Sequence, residues 1–335
     1  MQYSTFAAID IGSYDVILEI FEISKKQGIR SVDKICHRME LGKDTYTLGK
    51  IRPEMEEELC RVLADFVRIM EGYRVDDYRA TASSAISEAS NSLYVLGKIH
   101  QLTGLSVTVL SNSEQRFLSY KALAAMEDNF NKIIEKGTAI LDLDGGSFQI
   151  SLFDKDALVT TQNIRMGSLR IRERLAGIQS ETEHYEEMVE ELIWNEVSSF
   201  KKMYLKDRKI ENIMLIGDVF TDSVYQNIEE KTTKIISCEN FNTWYEKIIR
   251  QSPMELAVKL GIPLENASLM YPSAVIYKCL IDMMGAEHIW IPGVHMTRGI
   301  AYEYAEQMKL LKGGHNFEND ILMAAKNIGK RYAVN

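Results

Sequence analysis

Two stretches of the chain share one pattern of apolar and polar positions. In each, a short apolar strand ends at an aspartate, a glycine-containing turn follows, and a second apolar strand returns; they read FAAIDIGSYDVILEIF at 6–21 and TAILDLDGGSFQISLF at 138–153. A shift of 132 residues places Asp10 on Asp142 and Phe21 on Phe153. Glycine beside a strand end permits a tight turn or the close approach of a ligand. The pattern predicts a duplicated fold with one aspartate-tipped hairpin per half and a cleft between the halves.

The remaining apolar periodicity predicts that each half is an α/β unit. In the first half the predicted elements are a strand at 31–39, a polar loop at 40–51, an amphipathic helix at 53–70, and strands at 78–82 and 107–110 that each precede a helix. In the second half they are strands at 157–164, 213–216 and 288–291, with helices that include 168–175, 181–200, 273–284 and 297–310. We therefore predict an N-terminal domain at 1–127, a second domain at 128–310 and a tail with one helix at 311–335.

The composition limits the classes of function. The chain has 335 residues, of which 46% are hydrophobic and 26% charged, and a net charge of −9. This acidic balance argues against a nucleic-acid partner, but it permits a small anionic ligand held by backbone amides. Because the N-terminus lacks a basic leader and no long apolar run occurs, we expect no signal peptide and no membrane partner. Four scattered cysteines predict reduced thiols and a cytoplasmic location.

Five short motifs occur in a recognisable order between residues 8 and 170. They are AIDIGS at 8–13, ATASSAISEASN at 80–91, LSNSEQ at 110–115, DLDGGSFQ at 142–149 and MGSLR at 166–170. They resemble the IDIGSNS, AT-x-A-x-R-x-A-x-N, ISGxEEA, DIGGGSTE and GxxRL segments of the Ppx/GppA family of exopolyphosphatases and guanosine pentaphosphate phosphohydrolases. That family belongs to the actin-like ATPase superfamily. The resemblance therefore implies an α/β fold with two actin-like (ribonuclease-H-like) domains.

The resemblance also implies an activity and a set of ligands. The expected reaction is hydrolysis of the terminal phosphate of inorganic polyphosphate or of guanosine pentaphosphate (pppGpp), assisted by Mg²⁺ or Mn²⁺. The implied metal ligands are Asp10 and Asp142, and Asp144 is a further candidate metal ligand beside Asp142. The implied phosphate-binding residues are Gly12, Ser13, Gly145, Gly146 and Ser147. A small phosphate ligand is the expected partner, and a homodimer is compatible with the sequence.

Several positions depart from the family pattern where the chemistry is expected. Glu114 keeps the first glutamate of the family's pair and is a weak candidate for orienting water, whereas Gln115 occupies the position of the family base. Gln149 replaces the closing glutamate of the second hairpin motif. A phosphate-binding arginine is replaced by Ala85 when counted from Ala80, or by Ser87 when counted from Asn91.

These departures leave more than one function open. The first hypothesis is an active exopolyphosphatase-like hydrolase. The alternative is a catalytically degenerate relative that binds a phosphate ligand or a protein partner for regulation. A scaffold role for the acidic helix at 181–200 is a third hypothesis. Asp144 has two interpretations as well, because it stands where the family has glycine: it either caps the turn or adds a metal ligand beside Asp142.

Overall fold

The chain folds into two compact units. The structure, a computed structural model, describes residues 3–126, 130–155, 157–176, 185–205, 208–227 and 235–311, together with Leu322. The first unit contains the residues up to Ala125 and the segment that begins at His295, and the second contains the residues from Met126 to Val294. The boundary near residue 125 lies close to the predicted one at 127.

The first unit is built on a mixed sheet that begins with the predicted hairpin. Its strands are β1 Ser4–Ile11, β2 Asp15–Ser24, β3 Gly28–Arg38, β4 Asp77–Ala82 and β5 Val107–Val109. They lie in the order β3-β2-β1-β4-β5; the first three pair antiparallel, and β4 and β5 add parallel strands. The helices are α1 Leu41–Leu48, α2 Pro53–Gly72, α3 Ser84–Ser87, α4 Ser92–Thr103 and α5 Asn112–Met126.

The second unit repeats this plan. Its strands are β6 Thr138–Leu143, β7 Phe148–Asp154, β8 Ala157–Ile164, β9 Asn212–Ile216, β10 Ile235–Ile236 and β11 His288–Trp290. Its helices are α6 Phe130–Ile134, α7 Ser168–Leu175, α8 Tyr185–Phe200, α9 Val219–Asn227, α10 Cys238–Ile249, α11 Pro253–Leu260 and α12 Leu264–Met284, with a π-helical turn at Lys201–Leu205. The predicted start of the acidic helix and most of the predicted C-terminal tail lie outside the described residues.

The order of the strands confirms the predicted duplication. The second sheet contains the order β8-β7-β6-β9-β11, which matches β3-β2-β1-β4-β5 strand for strand, with β10 added at the edge. In both hairpins the aspartate faces the residue seven positions later, Ile17 for Asp10 and Gln149 for Asp142. Each aspartate therefore stands near the carboxyl end of the first strand of its own sheet.

The last described helix, α13 Met296–Gln307, belongs to the first unit. The sequence assigned residues 128–310 to the second domain. The structure differs because α13 packs on the apolar side chains of one face of β1 and β2 and so buries them. The rings of Phe6 and Tyr304 stack there with centroids 4.1 Å apart. A Cβ added at Gly299 would lie 2.2 Å from the Leu118 carbonyl oxygen, so this helix approaches α5 as closely as backbone permits.

Residues 40–51, expected to form a polar loop, contain the helix α1. Leu41 is fully buried, and the exposed Arg52 donates to the buried carboxylate of Asp44 at 2.9 Å. Gly49 then ends the helix with a positive φ of 71° and donates to the Thr45 carbonyl. The turn-forming residues of this segment are thus stabilised as a helix by contacts with residues outside it.

Helix α12 forms the centre of the second unit. It is 21 residues long, contains Pro272, and buries residues on all of its sides, among them Tyr277 and Met270. Its uniform burial explains why apolar positions occur without a marked polar face. Despite this length, none of the described helices has an apolar stretch sufficient to cross a lipid bilayer.

Candidate phosphate and metal site

Asp10 ends β1 in the first unit, at the position that Asp142 occupies in the second. Its half-exposed carboxylate lies beside Thr81 on the parallel strand β4, and the Thr81 hydroxyl donates to Asp10 Oδ1 at 3.4 Å. The same hydroxyl lies 3.3 Å from the Ile9 carbonyl oxygen. Asp10 is therefore presented at the end of its strand and is oriented by a neighbouring side chain.

The turn after Asp10 contains a chain of hydrogen-bonded hydroxyl groups. Ser13 is completely buried, and its Oγ lies 2.7 Å from the Tyr46 hydroxyl, which lies 2.8 Å from Ser84 Oγ. Gly12 closes the turn by donating its N–H to the Asp15 carbonyl at 2.9 Å. The Ser13 hydroxyl, a predicted phosphate ligand, is thus bound to Tyr46 of α1 in this structure.

The acid that follows this turn points inward. Asp15 is 9% exposed, and its carboxylate forms an ion pair with Arg38 Nη1 at 2.7 Å. Burial raises the pKa of the Asp15 carboxyl, and the Arg38 charge opposes that rise. Arg38 also lies over the Tyr14 ring, 5.9 Å from its centroid. The negative charge at this turn is therefore compensated within the first unit.

The second hairpin has a turn that Asp144 caps. The Asp144 N–H donates to the Ser147 carbonyl at 2.9 Å, and Asp144 Oδ1 accepts the Gly145 N–H at 2.6 Å. These two hydrogen bonds account for the backbone donors of Asp144 and Gly145. One oxygen of Asp144 thus has the capping role that the sequence allowed. Phe148, which follows the turn, is 1% exposed and belongs to the core.

The start of α7 binds the carbonyl groups of this turn. Ser168 N–H donates to the Asp144 carbonyl at 3.2 Å, and Arg170 N–H donates to the Gly145 carbonyl at 2.9 Å. The Arg170 side chain adds a bond from Nε to the Gly146 carbonyl at 2.8 Å. A Cβ at Gly167 would lie 2.2 Å from the Asp144 carbonyl oxygen, so glycine permits this approach. Arg170 therefore holds a positive charge against the glycine turn.

We expect Gly167→Ala to destabilise the second unit. Its methyl group would overlap the backbone of the turn, and relief of that overlap costs roughly 2 kcal/mol. The matched control is Gly97→Ala in the exposed middle of α4, where an added Cβ meets nothing within 4 Å. That change should instead stabilise by roughly 0.5–1 kcal/mol through helix propensity. Urea denaturation measures both, and equal effects of the two substitutions would contradict the close packing at Gly167.

Three oxygen-bearing side chains form a row across the second sheet. Asp142 on β6 faces Gln149 on β7, and Gln149 faces Asn163 on β8, so the three project from the same face. Gln149 is 5% exposed. Its Oε1 and Asn163 Oδ1 are buried and have no hydrogen-bond partner among the described residues. Buried acceptors without a donor are costly, so this row suits a cation or a donor group that is supplied by a ligand.

The oxygen atoms of this row are suitable ligands for a hard cation. Mg²⁺ takes oxygen ligands, binds one or two protein carboxylates and completes its shell with water and phosphate oxygens. Among the described residues, no three His, Cys, Asp or Glu side chains group closely enough to hold a metal ion. A Mg²⁺ site here would therefore use the Asp142 carboxylate together with neutral amide oxygens. The ligands of such a site carry less negative charge than those of a site with two carboxylates.

Glu114 lies at the start of α5 and is exposed. Its Oε2 accepts both the hydroxyl and the N–H of Ser111, each at 2.7 Å, in the manner of a helix-capping residue. The hydrogen bonds from Ser111 lower the pKa of the Glu114 carboxyl. A carboxylate with a lowered pKa is a weaker base, and Gln115 beside it cannot accept a proton.

The position of the family's phosphate-binding arginine corresponds to one of two residues. Ala85 is fully buried, and its carbonyl accepts the Thr45 hydroxyl at 2.6 Å. Ser87 is exposed at the end of α3. Of the two, only Ser87 presents a side chain to solvent, and its short hydroxyl cannot form the two parallel bonds of a guanidinium group.

Asp218 is a buried acid that the sequence did not mark as functional. It follows β9, and burial raises the pKa of its carboxyl to about 7, although hydrogen bonds from Ser273 Oγ and the Phe220 N–H favour the charged form. Its preceding residue, Gly217, packs against the end of β6. The available signal was a Gly-Asp pair at the end of a buried strand, which by itself is typical of an ordinary turn.

The fold and the paired hairpins define a class of protein. Two units with the same strand order, each with an aspartate at the end of its first strand, constitute the two-domain actin-like fold. A family model described as the Ppx/GppA phosphatase family matches residues 19–308. The chain belongs to this family, and the predicted family and fold are confirmed.

Solved structures share the fold at low sequence identity. An exopolyphosphatase from Cytophaga hutchinsonii superposes with a TM-score of 0.81 and 17% identity, over 93% of this chain and 100% of that chain. The Ppx/GppA family member from Aquifex aeolicus superposes with a TM-score of 0.73 and 18% identity, over 92% and 99% of the two chains.

Two curated relatives are longer than this chain. The bifunctional 3-dehydroquinate synthase/phosphatase of Fusobacterium nucleatum is 21% identical in an alignment of 310 residues that covers 84% of this chain and 44% of that protein. Exopolyphosphatase 1 of Mycobacterium leprae is 25% identical over 144 residues, which are 43% of this chain and 41% of that protein. The chain thus matches less than half of the length of either relative.

Proposed function

We propose that this protein is a metal-assisted phosphoanhydride hydrolase of the exopolyphosphatase type, acting on the terminal phosphate of inorganic polyphosphate or pppGpp. The observation that carries the proposal is the second hairpin. There, a glycine turn, the Arg170 cation and the oxygen row that starts at Asp142 belong to one local structure. The exopolyphosphatases among the relatives and neighbours support the same substrate class.

Each part of this hairpin has a role in phosphoryl transfer to water. The Gly146 and Ser147 amides would bind phosphate oxygens, because the Asp144 and Gly145 amides are already used within the turn. Arg170, held at the Gly146 carbonyl, would compensate the negative charge of the phosphate chain. Asp10 stands at the equivalent place in the first unit and is the corresponding candidate there.

The oxygen row fits Mg²⁺ or Mn²⁺. Asp142 would supply the charged ligand, with Gln149 Oε1 and Asn163 Oδ1 as neutral ones. Both neutral oxygens are buried, and neither has a donor in the part of the chain that the structure describes. The metal ion, when bound, would neutralise charge that develops on the transferred phosphoryl group. The fit is one of ligand chemistry and supports Mg²⁺ as the cofactor.

A degenerate phosphate-binding protein is the second candidate, and one observation favours it. The only candidate for a water-orienting acid that the sequence supplied, Glu114, is bound to Ser111 as a helix cap. Since Gln115 and Gln149 are neutral, proton removal from water has no strong base among these three positions. Such a protein would keep phosphate binding at the second hairpin and would lose turnover.

Phosphate release separates the two candidates. Purified protein is incubated with polyphosphate or pppGpp, with Mg²⁺ or Mn²⁺, and free phosphate is followed over time. Release that requires metal and exceeds the metal-free control supports the hydrolase. No release, together with a higher melting temperature in the presence of metal and polyphosphate, supports the binding protein. If metal and polyphosphate cause neither phosphate release nor a higher melting temperature, the proposed site is wrong. The homodimer and the cytoplasmic location stay predictions.

A further inference from the structure

The turn after β9 adopts a backbone conformation that is unfavourable for its sequence. Gly217 and Asp218 both have positive φ angles, 77° and 66°. Glycine adopts this region freely, but an aspartate does so at a cost, and such strain persists only where surrounding contacts maintain it. The contacts that maintain this turn are therefore informative about what the turn does.

This turn lies directly against the end of β6. Ile216 pairs with Asp142 in the parallel ladder between β9 and β6. A Cβ added at Gly217 would lie 2.3 Å from the Leu143 carbonyl oxygen and 3.0 Å from Asp142 Oδ1. The turn is therefore the immediate backbone neighbour of the Asp142 carboxylate. A shift of the turn would move the surface against which that carboxylate is placed.

The Asp218 side chain connects the turn to helix α12. Its Oδ1 accepts the Phe220 N–H at 2.6 Å, and its Oδ2 accepts the hydroxyl of Ser273 on α12. Tyr277, one turn further along α12, donates its hydroxyl to the Ile216 carbonyl at 3.1 Å. Asp218 and Ser273 are 6% and 0% exposed. The turn is thus bound to the central helix of the unit by two buried side-chain bonds.

We propose that Asp218 and Ser273 form a buried latch that holds the Gly217 turn against Asp142 and so sets the metal affinity of the second hairpin. Asp218 is a positioning residue, because it acts through the turn and not through contact with the ligand. The inference rests on the metal site of the proposed function, but it does not depend on turnover. Residues that orient metal ligands typically change metal affinity by about 10–100-fold when they are removed.

Two substitutions at one position test the latch. Asp218→Gly removes the carboxylate but accepts a positive φ, so the turn can keep its backbone conformation. Asp218→Asn tolerates the same φ and can still bond to the Phe220 N–H and to Ser273. Binding of Mn²⁺ alone is measured by electron paramagnetic resonance of free Mn²⁺, with Asp142→Ala as the reference that lacks the site. Circular dichroism establishes that each variant is folded.

The latch predicts that Asp218→Gly weakens Mn²⁺ binding about tenfold or more, while Asp218→Asn stays within about threefold of the wild type. If Asp218→Gly does not fold, Ser273→Ala replaces it with the same expectation. A loss below about threefold in the tested variant, or wild-type protein that binds no Mn²⁺, overturns the latch. Phosphate release by the wild type is scored separately: weakened Mn²⁺ binding without any turnover supports the latch and rejects the hydrolase.

Discussion

Asp142→Ala should reduce metal-dependent phosphate release by about 10²–10³-fold or more. Asp142 supplies the one charged oxygen of the row with Gln149 and Asn163, and the two amide oxygens cannot replace that charge. Initial rates of phosphate release at saturating Mg²⁺ measure the effect. The loss should be large because the neutral row leaves no second carboxylate to take over.

The control for this prediction is Asp65→Ala. Asp65 lies on α2, its side chain is 57% exposed, and its partner is the neighbouring Arg68. Exposed pairs of this kind contribute little to stability, so the rate should stay within about twofold of the wild type. A rate for Asp142→Ala above one tenth of the wild-type rate would show that the charge at β6 is not needed, and the site would have to be placed elsewhere.

The second large effect concerns the pH dependence of stability and the carboxyl of Asp218. Burial raises the pKa of this group from 3.8 to about 7, and the nearby Asp222 carboxylate adds to the rise. Between pH 3.8 and about 7, the folded state therefore holds a proton on Asp218 that the unfolded state has lost. The contribution of the protonated Asp218 carboxyl to stability is complete below pH 3.8 and is lost as the pH rises through about 7.

Asp218→Asn removes this titration. Relative to the wild type, the free energy of unfolding of the variant should rise by roughly 4 kcal/mol between pH 4 and pH 7.5 and then level off. Urea denaturation at half-unit pH steps measures the difference between the two proteins. Asp65→Asn, the same substitution at an exposed position, is measured in parallel as the control. A flat difference for Asp218→Asn would mean that Asp218 titrates normally in the folded protein.

The hairpins were predictable from sequence because their signals are local. Short apolar runs on both sides of a glycine turn predict a hairpin within about sixteen residues, as in 138–153. Asp10 and Asp142 were found for the same reason: each ends an apolar strand, and the equal spacing to the returning strand made the two stretches comparable. The helix α1 was missed because contacts from outside its own segment, such as Arg52 with Asp44, stabilise it.

The sequence by itself determined the family, the duplicated α/β plan and the two strand-end aspartates, because these depend on short-range periodicity and on motif order. Tertiary structure alone decided which groups surround those aspartates. Asn163 joins the row of Asp142 through strand register, Ser273 reaches Asp218 from 55 residues away, and α13 returns to the first unit. Hydrogen bonding and burial act between atoms that are close in space, and a linear pattern does not record that proximity.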